Sequence, residues 1–137
     1  MIEFKQKQYS EEDKKLFINF LGVLTGWGNK AKNLHWAAPS KNIHVYLDEF
    51  YEILGEYTDG LAEGYMGILG KMGPSDVRCI ECRSENAWEF IDEVMEKTHD
   101  FYNNLPDGIE FKGITSECET FIQNVSKYHY LFGLCKS

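Results

Sequence analysis

Prolines are scarce in this chain, and each of the three falls where a helical pattern already stops: Pro39 after Ala38, Pro74 after Gly73, and Pro106 before Asp107-Gly108. Proline inside a helix removes a hydrogen bond and clashes with the preceding turn, so the long proline-free stretches between these points stay open to helix. Extended apolar runs are also missing. Nothing approaches the roughly 18 residues that a membrane span requires, and the start, MIEFKQKQYS, lacks the basic-then-apolar pattern of a secretory signal. The expectation is a cytoplasmic protein with no membrane partner.

Basic clusters are lacking as well. The 14 Lys and Arg residues are outnumbered by 22 Asp and Glu, for a net charge of −8. Non-specific affinity for nucleic acid comes from clustered positive charge, so a general polyanion binder is disfavoured. Near the amino terminus Lys5, Lys7, Lys14 and Lys15 are offset by Glu3, Glu11, Glu12 and Asp13. Cysteine motifs are incomplete: Cys79-Ile80-Glu81-Cys82 is a lone C-x-x-C, without the second pair that a structural zinc site would show. Cys79, Cys82, Cys118 and Cys135 are expected to be ordinary reduced thiols, with a zinc site or a functional disulfide as the alternatives.

What is present is helical periodicity. Ser10 can cap a helix over residues 11–37, with Leu16, Phe17, Phe20, Leu21, Leu24, Trp27, Ala31 and Leu34 at spacings of three and four. Asn42 can cap a second helix whose stripe runs through Val45, Leu47, Phe50, Leu54, Tyr57 and Leu61 to the Gly73-Pro74 break. Residues 73–83 form a connection with room for a short helix. Ser84 can cap a third helix that ends at Leu105-Pro106-Asp107-Gly108, and Ser116 with Glu119 makes a capping box for a fourth. The longest strand candidate is only Gly108 to Lys112. The chain therefore reads as one all-α domain, residues 1–137, in a four-helix bundle.

The second helix carries the most specific pattern. Read outward from the midpoint between Ile53 and Leu54, His44 mirrors Glu63 and Asp48 mirrors Asp59. At about 100° per residue these side chains fall at roughly 0°, 40°, 60° and 100°, on one face. At about 1.5 Å per residue Asp48 and Asp59 stand roughly 16 Å apart, too far to share an ion. A second copy, antiparallel about a twofold axis, would bring His44 and Asp48 beside the Asp59 and Glu63 of the other chain. Gly55, on the same stripe, would let the two helices approach closely. His35, on the face that the first helix buries, adds another nitrogen donor. Mixed His and carboxylate shells suit Fe(II) and its oxidation by O₂ or peroxide, while zinc, manganese or cobalt could occupy the same donors.

Each of these residues has an ordinary explanation by itself. A single His near a helix end is more often a capping or core residue, and Asp59 with Glu63 could be a solvated face. Their joint symmetry argues otherwise. An intrachain di-metal site is disfavoured because Glu96-Lys97-Thr98-His99 is the one E-x-x-H where two are required, and His129 has no Glu three residues before it. His99 and His129 are read as structural.

The order Leu34-His35-Trp36, then His44-x-x-x-Asp48, then Asp59-x-x-x-Glu63 resembles the mini-ferritins of the starved-cell DNA-protection (Dps) family. The motifs cover roughly residues 10–70; beyond them the likeness rests on helix count and an aromatic-rich last helix. The resemblance implies a ferritin-like bundle and a helix-B-mediated antiparallel homodimer, assembled into a hollow, usually twelve-subunit shell. It implies a ferroxidase site of His35, His44 and Asp48 with Asp59 and Glu63 of the twofold mate, Trp36 standing beside it. Fe(II) would be oxidised by O₂ or H₂O₂ and stored as ferric mineral, protecting against oxidative damage, with Glu52 or Glu56 as inward seeds. Three features differ from the family pattern: the stretch between His35 and His44 is shorter, the second connection carries the C-x-x-C, and no basic tail is visible. The alternative is a non-enzymatic ferritin-like structural or interaction protein that has lost storage; direct DNA binding ranks third.

Overall fold

Local chemistry starts and stops each helix. The structure, a computed structural model, describes residues 9–136, so Glu3, Lys5 and Lys7 of the amino-terminal charge reading lie outside the described residues. Helix α1, Glu11–Trp36, begins where the Ser10 hydroxyl accepts from the Asp13 amide at 3.1 Å. Glu11, Glu12 and Asp13 fill its first turn, where negative charge complements the helix dipole. Helix α2, Lys41–Leu69, is capped by Ser40, whose Oγ accepts from the Ile43 amide at 3.3 Å. The expected Asn42 cap is therefore a residue inside the helix. It ends before the Gly73-Pro74 break because Gly70, at φ 104°, takes a conformation that favours glycine.

Helix α3, Ala87–Asn103, is capped by Asn86 rather than Ser84. The Asn86 carboxamide oxygen accepts from the Glu89 amide at 2.9 Å, and the Glu89 carboxylate accepts from the Glu85 amide at 3.0 Å. Ser84 is buried in the preceding connection. Helix α4, Lys112–Leu134, starts before the Ser116 capping box because a 3-10 turn at Ile109–Phe111 feeds directly into it. Ser116 thus lies within the helix, its carbonyl accepting from Thr120 Oγ1. No strand forms among the described residues, and residues 73–83 contain no helix.

Side chains set the packing order. Phe20 stacks on Phe101 with ring centroids 4.0 Å apart, and Trp27 Nε1 donates to Glu93 Oε2 at 2.7 Å, so α1 runs antiparallel to α3. Phe50 meets Tyr128 at 5.4 Å and Tyr57 stacks on Phe121 at 4.2 Å, which makes α2 antiparallel to α4. Trp88 Nε1 donates to the Phe132 carbonyl, setting α3 against α4 in the same sense. With α1 and α2 joined by a short turn, the helices run up, down, down, up. The price of that order is one long connection, residues 70–86, which carries the chain back along α1 before α3 begins.

The interior is largely aromatic. Phe17, Trp27, Phe50, Phe90, Phe111, Phe121 and Phe132 are almost fully buried with Leu24, Leu47, Leu54 and Leu61. Burying each such side chain is worth roughly 1.5–3 kcal/mol. No helix of the described residues is long and apolar enough to cross a membrane.

Candidate metal centre

The end of α1 and the start of α2 bring His35 and His44 together. Their rings stack with centroids 3.7 Å apart and planes 20° from parallel. His35 Nδ1 lies 2.6 Å from the His44 carbonyl oxygen, and His44 Nδ1 lies 2.8 Å from the His35 carbonyl oxygen. A carbonyl can only accept, so both Nδ1 atoms carry a hydrogen. In the neutral rings both Nε2 atoms are then left with lone pairs. Donation of the second ring N–H to a fixed oxygen is how metal-ligating imidazoles are oriented. The arrangement also satisfies the His35 carbonyl, one of those that the last turn of α1 leaves without a helical partner. His35 is half-buried at the rim of the bundle rather than within the face that α1 buries, and His44 is exposed.

The carboxylates follow along α2. Asp48, one turn beyond His44, accepts a salt bridge from Lys32 Nζ at 3.5 Å. Lys32 sits over the Tyr51 ring, with Nζ 4.4 Å from its centroid. Sequence reasoning missed this lysine, which lies one helical turn before His35; spacing within α1 does not reveal which α2 residue it meets. Asp59 and Glu63 are exposed and, among the described residues, have no hydrogen-bond or ion-pair partner. Around Gly55, midway along the stripe, a Cβ would meet nothing within 4 Å.

One chain therefore assembles half of the arrangement at one end of α2 and leaves the other half further along the same face. Among the described residues no three His, Cys, Asp or Glu side chains lie close enough to hold a metal ion. Trp36, next to His35 in the chain, is 72% exposed, so the described residues leave most of it uncovered. Glu52 and Glu56 are exposed on α2.

Other candidates fall elsewhere. Glu96 and His99 stand exposed on α3, while the bundle interior between the helices is filled by Phe50, Phe90 and Phe121. His129 Nε2 pairs with Asp92 Oδ1 at 3.1 Å across α4 and α3. All four cysteines are free thiols. No protein-family model matches the chain, and neither does any curated protein or solved structure.

Proposed function

We propose that two copies of this chain pair through antiparallel α2 helices and that the paired face binds and oxidises Fe(II), as in the mini-ferritins that the sequence resembles. The observation that carries this reading is the mutual locking of His35 and His44, which aims no Nδ1 at solvent and keeps both Nε2 atoms available as donors. Two unpartnered carboxylates on the same face, Asp59 and Glu63, complete the donor set in the second copy. The up-down-down-up order with one long crossover is also the arrangement of ferritin-like bundles.

In this reading His35, His44 and Asp48 of one copy hold iron with Asp59 and Glu63 of the other, and Trp36 flanks the site. Imidazole nitrogen admits Fe(II), while the carboxylates stabilise the more highly charged Fe(III) product. With peroxide, two Fe(II) ions give one electron each, the O–O bond breaks, two protons are taken up, and two waters leave. Zn(II) or Mn(II) would compete for the same donors. Ferric product would collect in a shell of twelve copies, with Glu52 and Glu56 as candidate seeds.

Replacing Asp59 and Glu63 by Ala should reduce rapid Fe(II) oxidation to the rate of iron in buffer while circular dichroism stays helical. Unchanged oxidation would overturn the reading. One observation favours a second reading, that of a paired protein without iron turnover: the ammonium of Lys32 already neutralises Asp48. Light scattering separates the two, since that reading requires a stable dimer and the first requires a far larger assembly.

A further inference from the structure

Residues 78–82 cross α1 as an extended strap. The carbonyl oxygens of Arg78 and Ile80 both face α1, over Gly22 and Gly26, where a Cβ at either glycine would collide with them. That two-residue period is the period of extended chain. The Ile80 amide donates to the Gly22 carbonyl at 3.0 Å, tying the strap down. The two thiols of the strap have different partners. Cys79 is exposed and its Sγ accepts from Asn29 Nδ2 at 3.5 Å; Cys82 is buried and donates to Glu93 Oε2 at 3.1 Å, on the same oxygen that accepts from Trp27.

We propose that Cys79 and Cys82 are a peroxide-responsive dithiol whose closure to a disulfide lifts this strap off α1. In extended chain, Cα atoms three residues apart are separated by about 10 Å, whereas a disulfide tolerates at most about 6.8 Å. The bond therefore cannot close while the strap is seated, yet the two intervening residues make closure easy once it bends. Cys79 is the sulfur that an oxidant meets first, because it is exposed on the outer side of the strap while Cys82 is buried. Cys82 is withheld: burial pushes its thiol up.

The Cys79 thiolate attacks one peroxide oxygen, so that an S–O bond forms, the O–O bond breaks, and hydroxide leaves and is protonated to water. The Cys82 thiolate then attacks the Cys79 sulfur, so that S–S forms, S–O breaks and a second water leaves. Two electrons pass from the sulfurs to peroxide, which is the only co-reactant. Closure removes the hydrogen bond from Cys82 to Glu93 and frees the Ile80 amide, leaving Trp27 as the remaining donor to Glu93 Oε2. Iron has no part in this step.

The test is hydrogen peroxide added to the whole protein with a chelator present, read by peptide mass and by amide hydrogen exchange. The expected result is loss of two hydrogen atoms from the peptide holding Cys79 and Cys82, with exchange at Ile80 faster by at least about tenfold, both reversed by dithiothreitol. In C82S a sulfenic-acid trap should label Cys79 while Ile80 stays protected. A closed disulfide with Ile80 still protected would overturn the proposal, and so would thiols that stay reduced, Cys79 carried to sulfinic acid in the wild type, or a bridge between chains.

Discussion

His35 and His44 each give an Nδ1 hydrogen to the backbone carbonyl of the other, at 2.6 and 2.8 Å, across the short turn between α1 and α2. The contacts close the helical hairpin, and in the proposed reading the pair has a second, separable job, presenting Nε2 to a metal. Asn has an amide donor near the position of Nδ1 and nothing at Nε2. His35→Asn and His44→Asn are expected to keep most of the stability, within about 1 kcal/mol, and to weaken Co(II) or Zn(II) binding by at least about tenfold. Calorimetric titration beside urea denaturation checks both. Alanine at either position should lose both properties.

Lys32 lies against Asp48 at 3.5 Å with both side chains partly exposed, so the pair itself contributes only about 0–1 kcal/mol. In the proposed reading its greater effect would be to compete with a metal for the carboxylate. Lys32→Met should leave the denaturation midpoint nearly unchanged and tighten divalent-ion binding, measured by titration at low salt. Unchanged affinity would mean that Asp48 is not a ligand.

Glycines on α1 should respond to alanine in opposite ways. Alanine ordinarily stabilises a helix by about 1 kcal/mol over glycine. Gly28 has open space around it, so Gly28→Ala should raise the urea midpoint. Gly26→Ala would drive a methyl into the Ile80 carbonyl and should destabilise the fold by at least about 2 kcal/mol, with the strap displaced. Urea curves for the two variants decide this.

The helices were legible because apolar residues recur at spacings of three and four within each, as in Phe17, Phe20, Leu21 and Leu24 of α1 or Leu47, Phe50, Leu54, Tyr57 and Leu61 of α2, and the bundle buries those stripes. Helix starts were less so. Ser84 and Asn86 are both good caps by type, and the choice of Asn86 depends on Ser84 being buried with the strap, a tertiary fact. Ser116 with Glu119 is a sound capping box overtaken by a 3-10 turn whose Phe111 is buried in the core. The stripe of His44, Asp48, Asp59 and Glu63 was visible in spacing alone. The contact between Lys32 and Asp48, and the seat that Gly22 and Gly26 make for the C-x-x-C, join residues of different segments and left no local pattern.

Alkaline pH should weaken the fold. Burial pushes up the Cys82 and Cys118 thiols and, further still, the phenol of Tyr57. The unfolded chain then releases these protons at lower pH than the native chain does. Stability is full below the ordinary thiol range, about 8.5, and declines as pH rises through it. The urea midpoint should fall from about pH 8 to about pH 10, and fall less steeply in Cys118→Ala.

The central claim is that each site is divided between two chains, and complementation tests it most directly. One variant carries His35→Asn with His44→Asn, the other Asp59→Ala with Glu63→Ala; each alone should be inactive in Fe(II) oxidation. After joint unfolding and refolding, random pairing makes half the dimers mixed, and each mixed dimer has one intact site of two. The mixture should therefore recover about a quarter of the wild-type rate. A mixture no faster than either parent, with mixed dimers confirmed by mass, would contradict the account.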